Sequence, residues 1–359
     1  MHAIPTGASA ATAPRAEASP SLDRIGGQTM GTTWSVVLAA PAHRAADDAG
    51  RALHRLHARA QGVLDGVVSQ MSHWDADSDL SRYNRAAPGW VRLPDALLEV
   101  LDCALDIARA SGGAFDPTLG ELAARWGFGP AGAVAAPPSR TEVDAARARA
   151  GWQRLSLDRA HGMALQPGGL QLDLSAIAKG HAVDRVADAL QAAGVRAMLV
   201  EVGGELRGIG RKPDGTPWRV LVETAYEQDA AADASPAETD AGAATRDAGG
   251  GDAPDVLALD DVAVATSGDR WHRYRHGGTD YAHTLDPRTG APLARAPMAA
   301  TVVAGDAMRA DAWATALSVV DRDTALALAA RAGVGLRLVE RIDERLRITR
   351  TPAFERHLA

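Results

Sequence analysis

Apolar residues recur at three- and four-residue steps in several stretches of the chain, and this spacing predicts amphipathic helices. The clearest stretch is 53–71, whose apolar face consists of Leu53, Leu56, Ala60, Val63, Leu64, Val67 and Met71. A second helix is expected between Pro94 and Gly112. A third is expected from Ser175, as its N-cap, to about residue 194, and a fourth after Asp306, also as an N-cap.

Short runs that are rich in apolar and β-branched residues predict strands. These runs are 32–38, 169–174, 197–202, 218–222, 262–266, 300–303 and 335–339. Helices and strands do not alternate regularly, which favours an α+β fold with a mixed or antiparallel sheet core flanked by helices over a doubly wound fold. We expect 218–222 and 262–266 to pair as a hairpin with an expanded loop.

Composition divides the chain into one domain and its flanks. Residues 1–24 are rich in Ala, Pro, Ser and Thr and predict a flexible lead-in. Residues 25–345 are expected to form a single domain of two subdomains, followed by a C-terminal tail at 346–359. Within the domain, 225–256 is dominated by Ala, Asp, Gly, Thr and Pro, so it buries too little apolar area to offset its ordering entropy. We therefore predict a disordered surface insertion there.

The acidic balance of the chain carries little functional information. The net charge is −7, and the segment from Glu227 to Asp255 contains eight acidic residues and one basic residue, which accounts for the whole excess. The rest of the chain is balanced and has no basic patch. We therefore expect no nucleic-acid partner.

Cysteine content and hydropathy limit the class of protein further. Cys103 is the only cysteine, which excludes an intramolecular disulfide and a zinc site built from several thiolates. It lies in an apolar helical stretch, where we expect a small buried side chain. No run reaches the roughly 18 apolar residues of a membrane span. The N-terminus lacks the apolar core of a secretory signal and a lipid-attachment cysteine, so the chain as written is expected to be cytoplasmic.

A first candidate site lies where a predicted strand ends and a helix begins. Asp173 ends the strand, and Lys179 falls in the first turn or so of the helix. Helix N-termini bind phosphate oxygens through free amides and a partial positive charge, and a lysine adds a point charge for the same anion. The alternative is a solvated lysine whose stem covers apolar surface.

A second candidate site lies on the helix after Asp306. Asp311 and Thr315 are four residues apart, so both side chains lie on one helix face among small or apolar neighbours. A buried carboxylate requires a cationic partner. Oxygen ligands from an aspartate, a threonine and a backbone carbonyl suit Mg²⁺, which also binds substrate phosphates. A salt bridge to an arginine is the alternative.

Two further segments combine glycine with polar groups. Thr266, Ser267 and Gly268 follow a predicted strand, where a turn could approach a ligand closely. His283 precedes a turn at 286–290, and histidine is the usual general base near neutral pH, although a lone histidine is more often structural. Neither a Walker-type loop, a Rossmann glycine motif nor a Ser-His-Asp hydrolase elbow is present.

Taken in order, these motifs resemble the FAD:protein FMN transferase (ApbE) family over roughly 27–339. The matching segments are 30–32, 71–74 with 78–84, 113–117, 173–180, 202–204, 266–268, 283–290 and 310–315. Each is weak alone, whereas eight in the same order form a specific pattern.

The resemblance implies roles for individual residues. It places at the FAD site Met30, Trp74, Ala114, Phe115, Asp116, Asp173, Lys179, Thr266, Ser267, Gly268 and Leu285. It assigns Mg²⁺ to the backbone carbonyl of Ala176 and the side chains of Asp311 and Thr315, and proton abstraction from an acceptor hydroxyl to His283. The chain departs from some relatives at Ala314, where a second acid can occur, and at Thr284, where a bulky aliphatic residue is common.

The activity implied by the resemblance is magnesium-dependent transfer of FMN from FAD to a Thr or Ser hydroxyl of an acceptor flavoprotein, with release of AMP. Two alternatives remain at this point: an FAD pyrophosphatase that forms FMN and AMP, and a non-catalytic FAD-binding protein. Members of the family are often periplasmic and attached to the inner membrane, in contrast to the location expected from this N-terminus.

Overall fold

The computed structural model describes residues 22–39, 46–222, 254–268, 273–276, 279–293, 299–342 and 345–359. Its main feature is an eight-stranded sheet in which every neighbouring pair of strands is antiparallel. In spatial order the strands are β1 (Leu22–Thr29), β2 (Thr32–Ala39), β6 (Met198–Val202), β7 (Glu205–Ile209), β10 (Ala263–Gly268), β15 (Ala299–Ala304), β16 (Gly335–Ile342) and β17 (Arg345–Arg350). The predicted α+β class with an antiparallel sheet core is confirmed.

The helices and the smaller sheets surround this sheet. The helices are α1 (Ala46–Met71), α2 (Asp79–Arg85), α3 (Asp95–Ala110), α4 (Gly120–Arg125), α5 (Arg140–Arg147), α6 (Ala178–Ala192), α7 (Ala307–Val319), α8 (Arg322–Ala332) and α9 (Pro352–Glu355). The smaller sheets are β3 (Gly89–Arg92) with β5 (Met163–Gln166) and β4 (Ser156–Asp158), β8 (Trp218–Val222) with β9 (Asp255–Leu259), β11 (Arg273–His276) with β12 (Thr279–Ala282), and β13 (Leu285–Asp286) with β14 (Ala291–Pro292).

Three buried apolar clusters hold these elements together. The largest lies between one face of the main sheet and the helices α1, α3, α6 and α7, and it includes Trp34 and Leu101. The opposite face of the sheet is covered by β8, β9 and α9, with Trp218 and Phe354 at its centre. A separate cluster around Trp126 joins α4 and α5 to β13. That cluster is distinct from the main core.

The predicted helix boundaries are largely confirmed, with one correction. Asp306 caps α7 by accepting a hydrogen bond from the Arg309 amide at 2.8 Å, and α3 stops at Gly112, which has a φ of 65°. Ser175, however, is not the N-cap of α6. The helix begins at Ala178, because the Ser175 hydroxyl donates instead to the Asp173 carboxylate at 2.6 Å.

The predicted strand at 169–174 is wrong. Two side chains occupy its backbone groups: the Leu170 amide donates to the buried Gln166 at 3.0 Å, and the Leu172 amide donates to Asn84 at 2.8 Å. Only an isolated parallel bridge between Leu119 and Gln171 remains of a ladder. Side chains from other segments therefore satisfy this backbone in place of a neighbouring strand.

The predicted pairing of 218–222 is also wrong. β8 pairs with β9, in a register that places Trp218 opposite Leu259 and Val222 opposite Asp255. The run at 262–266 belongs instead to β10 in the main sheet. The predicted insertion, 225–256, lies mostly outside the described residues, and its last two residues form the start of β9.

The chain after residue 345 contributes to the fold rather than forming a separate tail. It supplies β17 at the edge of the main sheet, and Phe354 is fully buried. The amide of Ala359 donates to the carbonyl of Val256 at 2.8 Å. At the other end, residues 22–24 of the predicted lead-in belong to β1, and 1–21 lie outside the described residues. Within the described ranges, no helix has the length and apolar character needed to span a membrane.

Candidate active site

Two hairpins of the main sheet meet next to the start of α6. Met30 and Gly31 form the two-residue turn between β1 and β2, with φ values of 49° and 72°, and a positive φ at both positions is typical of a type I′ hairpin. The amide of Gly203, in the turn between β6 and β7, donates to the Thr33 carbonyl at 3.0 Å. A Cβ on Gly203 would lie 3.4 Å from Cδ of Lys179. The sheet end therefore brings the 30–32 turn beside Lys179.

Lys179 is half-buried, with its side chain 31% exposed, and it forms an ion pair, which argues against the alternative of a freely solvated lysine. Its Nζ donates to Oε1 of Glu205, whose side chain is only 3% exposed. Burial lowers the pKa of Lys179, but the carboxylates of Asp311 and Glu205 outweigh it, so that the net pKa is raised. The ammonium therefore stays charged inside the protein.

Asp311 lies in the same cluster, on the second turn of α7. It is 6% exposed, and its Oδ2 accepts a hydrogen bond from the Gly180 amide at 3.0 Å. Burial raises its pKa, although Lys179 and the Gly180 amide oppose this effect. Burial and the neighbouring Asp311 likewise raise the pKa of Glu205. Among the described residues no arginine pairs with Asp311, so the predicted alternative of an arginine salt bridge is not realised there.

The start of α6 leaves a backbone carbonyl available beside Asp311. In a regular helix the Gly180 amide would donate to the carbonyl of Ala176, but here it donates to Asp311. No backbone hydrogen bond to the Ala176 carbonyl is found in the described part of the chain. Thr315 lies one turn beyond Asp311 on the same helix. A carboxylate, a hydroxyl and a free carbonyl form a set of hard oxygen donors.

The charge of this cluster favours a cation. Burial raises the pKa of both Glu205 and Asp311, so ionising both carboxyl groups beside a single ammonium is unfavourable without a further positive charge. In addition, Oε2 of Glu205 is buried without a hydrogen-bond partner in the described structure. The residues predicted for Mg²⁺ therefore fit such an ion in donor chemistry and in charge.

Thr266, Ser267 and Gly268 extend this sheet end. They form the last residues of β10 rather than the expected turn, and they pair with the β15 residues Thr301, Ala300 and Ala299. The register of β10 with β7 sets Val264 opposite Leu206. Because Leu206 follows Glu205 directly, the C-terminal end of β10 lies at the same end of the strands as Glu205.

A second group of predicted site residues surrounds Asp173, three residues before Ala176. The Trp74 side chain is 62% exposed, which excludes an ordinary core tryptophan. The His73 ring lies between Trp74, with ring centroids 5.4 Å apart, and Asp173, with Nδ1 3.5 Å from Oδ1. His73 and Asp173 line a cavity of about 180 Å³. Trp74 therefore offers a free aromatic surface at the edge of this site.

Residues 114–116 are held inside the protein. Ala114 and Phe115 are 4% and 3% exposed. The Asp116 carboxylate accepts hydrogen bonds from the Thr118 hydroxyl at 2.6 Å and from the Trp152 amide at 3.1 Å. Burial raises the pKa of Asp116 although these bonds lower it. Its carboxylate thus fixes the loop, and the Pro117 carbonyl accepts the Asp173 amide at 2.9 Å.

His283 and Leu285 lie in a different part of the fold from the sheet end. His283 is half-buried between β12 and β13. Leu285 is 7% exposed and packs in the cluster around Trp126, which also donates to the Gly290 carbonyl at 2.8 Å. The predicted site residues are thus distributed over the sheet end, the Asp173 loop and the segment that follows β12.

Sequence reasoning did not identify two polar residues of the site. Glu205 follows the Gly203-Gly204 turn directly, and the available signal was an acid immediately after a glycine pair that ends a predicted strand. His73 precedes Trp74 within a matched motif. Their partners, Lys179 and Asp173, are distant along the chain, so only the fold reveals the pairs.

The sequence and the fold both match known proteins. The sequence model of the ApbE family matches residues 30–338. A Salmonella typhimurium (strain LT2) protein named FAD:protein FMN transferase is 30% identical over 347 residues, which cover 95% of this chain and 91% of that protein. A Chlamydia trachomatis protein of the same name is 32% identical over 262 residues, covering 71% of this chain and 73% of that protein.

Solved structures of flavin transferases share the fold. The apo form of the flavinyl transferase ApbE from Pseudomonas stutzeri superposes with a TM-score of 0.79 at 34% identity, covering 94% of this chain and 97% of that one. The flavin transferase ApbE from Vibrio cholerae has a TM-score of 0.79 at 29% identity, covering 94% of this chain and 100% of that one.

Proposed function

The chain belongs to the ApbE family, and on that premise we propose that it is an FAD:protein FMN transferase. The proposed reaction depends on magnesium and moves the FMN half of FAD to a threonine or serine hydroxyl of an acceptor flavoprotein. The flavin transferase activity has support in the names of relatives that match most of the chain. The magnesium requirement, the hydroxyl acceptor and the release of AMP are the further parts of the proposal.

The observation that carries the magnesium requirement is the buried cluster of Lys179, Glu205 and Asp311. A divalent cation would allow both buried carboxyl groups to ionise, and the carbonyl of Ala176 would add a neutral oxygen donor. We assign that cation to Ala176, Asp311 and Thr315. When bound, Mg²⁺ would offset the negative charge of the FAD pyrophosphate during phosphoryl transfer.

Lys179 supplies the second positive charge. Its ammonium is held by Glu205 beside the start of α6. A phosphate oxygen at this point would receive the point charge of Lys179. The amides of Ala178, Gly180 and His181 already donate to Leu174, Asp311 and Ile177. Lys179 therefore orients the pyrophosphate, while the exposed Trp74 ring presents a flat surface to one of the two ring systems of FAD.

His283 is assigned as the general base. It takes the proton of the acceptor hydroxyl as the hydroxyl oxygen forms a bond to the FMN phosphorus. The bond between that phosphorus and the bridging oxygen breaks, and AMP leaves with the bridging oxygen. Such proton transfer contributes about 10²- to 10⁴-fold to a rate.

An acceptor-free incubation tests this proposal against hydrolysis. Protein, FAD and Mg²⁺ are mixed, and AMP is measured with and without an acceptor flavoprotein. A transferase releases AMP only with the acceptor and in equal amount to covalent FMN. Rapid release of AMP without the acceptor indicates an FAD pyrophosphatase. FAD binding without turnover in either mixture indicates a non-catalytic flavin-binding protein.

A further inference from the structure

We propose that Asp184 is a positioning residue for the metal ligands Asp311 and Thr315, because it fixes the start of the helix that carries them. The inference rests on the proposed role of Asp311 in binding Mg²⁺. Asp184 itself touches neither FAD nor the cation in this proposal; it acts through the backbone of α7.

The Asp184 carboxylate joins α6 to the first residues of α7. Its Oδ1 accepts a hydrogen bond from the Ala307 amide at 3.0 Å, and its Oδ2 accepts one from the Met308 amide at 2.9 Å. These are two of the amides that a helix start leaves without an intrahelical partner. Arg207 donates to Oδ1 at 2.7 Å and balances the charge of Asp184, which is 5% exposed.

A second contact fixes the distance between the two helices. A Cβ on Gly180 would lie 2.2 Å from the Ala307 carbonyl oxygen, so the helices cross at a separation that only glycine permits. The Gly180 amide also donates to Asp311 at 3.0 Å. Helix α6 therefore contacts α7 at its first residue and again one turn later, at the proposed metal ligand.

The positions of the metal ligands Asp311 and Thr315 follow from these contacts between α6 and α7. Asp311 lies four residues after Ala307, which is about 6 Å along the helix axis, and Thr315 lies about 6 Å further. Asp306 caps only the Arg309 amide. Without Asp184 the Ala307 and Met308 amides would be buried and unpaired, and α7 would shift or fray at the turn before Asp311. If Asp311 shifted, its carboxylate and the Ala176 carbonyl could no longer bind the same ion.

The experiment measures metal binding to the apo protein by titration with Mn²⁺, followed by electron paramagnetic resonance, together with the melting temperature. Asp184→Asn replaces one acceptor oxygen by an amide group that would face a backbone N–H. Asp184→Glu keeps both oxygens and the charge but lengthens the side chain. The control is Asp188→Asn, one turn further along α6, which removes an ion pair with Arg185.

We expect the dissociation constant for Mn²⁺ to rise about tenfold or more in both Asp184 variants, while Asp188→Asn keeps the wild-type value. If Asp184→Asn does not fold, Asp184→Glu alone is compared with the control. The inference would be overturned by an Asp184 variant that folds and has a lowered melting temperature but keeps the wild-type Mn²⁺ affinity. Asp184 would then act only as a helix cap. Failure of the wild type itself to bind Mn²⁺ would instead refute the proposed magnesium site, and this inference with it.

Discussion

Trp74 is a large aromatic side chain that the fold leaves exposed. Its ring contributes little to the core, because 62% of the residue is accessible to solvent. The resemblance to the family predicts an FAD contact for Trp74, and such a contact would explain this exposure. An aromatic ring stacked on a base contributes about 1–3 kcal/mol to binding.

We therefore expect Trp74→Ala to weaken FAD binding by about tenfold or more without lowering the melting temperature. Fluorescence titration with FAD and a thermal melt measure the two quantities. Trp90→Ala is the matched control, since Trp90 is 51% exposed on β3. Equal FAD affinity in wild type and Trp74→Ala would remove Trp74 from the site.

His181 is a buried histidine next to the charged cluster. It is 1% exposed, and its Nε2 has no hydrogen-bond partner among the described residues. Burial, with a smaller contribution from Arg185, lowers its pKa to about 4 from a usual value of 6.5. The unfolded chain therefore binds a proton at a higher pH than the folded protein does.

This difference predicts a loss of stability in acid. The contribution of neutral His181 is complete above about pH 6.5 and disappears as the pH falls towards about 4, an effect on the order of 3 kcal/mol. Urea unfolding of His181→Gln across this range should show a flatter dependence on pH than the wild type, whereas the exposed His54→Gln should match the wild type. A steep dependence retained in His181→Gln would show that other groups cause it.

The sequence identifies several candidate site residues, but it does not predict which side chains surround them. Lys179, Asp311 and Trp74 were identified from helix position, spacing and family motif, and the fold gives the first two a common buried cluster. Glu205 and Asp184 were missed, because their roles depend on contacts with Lys179 and Ala307, which lie far away along the chain. Local patterns do not encode such partners.

At the scale of elements, the crossing of α6 and α7 determines where Asp311 lies relative to the start of α6. Gly180 allows the crossing, and the same residue donates its amide to Asp311. The start of α6 could not be predicted from the residues alone, because Ser175 is a good capping residue by type and yet donates to Asp173. The competing acceptor lies two residues away, and local preference cannot rank the two arrangements.

Gly180→Ala should therefore separate the helices. The added methyl group would overlap the Ala307 carbonyl, and we expect a loss of about 1–3 kcal/mol or more in the free energy of unfolding. Metal binding should weaken as well. Chemical unfolding with and without Mg²⁺ measures both effects.

Gly66→Ala is the matched control, because Gly66 lies within α1 and a Cβ there would meet nothing within 4 Å. That substitution should leave stability unchanged or raise it by roughly 0.5–1 kcal/mol. A Gly180→Ala protein as stable as Gly66→Ala would contradict the close crossing.

At the scale of the whole molecule, the C-terminal segment completes the sheet face opposite the site. From the sequence, 346–359 is expected to be a C-terminal tail outside the domain. In the structure, however, Phe354 fills the cluster beneath β16, and the Thr351 hydroxyl accepts the Leu336 amide at 2.9 Å. This segment is part of the domain because strands that are distant along the chain bury it. Composition does not reveal such contacts.

Phe354→Ala should accordingly destabilise the protein by about 3–5 kcal/mol, as expected when a buried phenylalanine is truncated. A thermal melt measures this change, with Leu358→Ala as a control at a 39% exposed position. A wild-type melting temperature for Phe354→Ala would mean that the segment contributes nothing to the core.

The whole molecule thus combines a sheet end that carries the charged cluster with a separate segment, between β12 and β13, that carries His283. The most direct test of this account follows covalent flavin on an acceptor flavoprotein by intact mass, using wild type and Asp311→Asn with FAD and increasing Mg²⁺. We predict that wild type adds one FMN to a threonine or serine and releases one AMP, only with Mg²⁺, and that Asp311→Asn does so at least about 100-fold more slowly. Equal transfer by the two proteins, or transfer independent of divalent cations, would contradict the account.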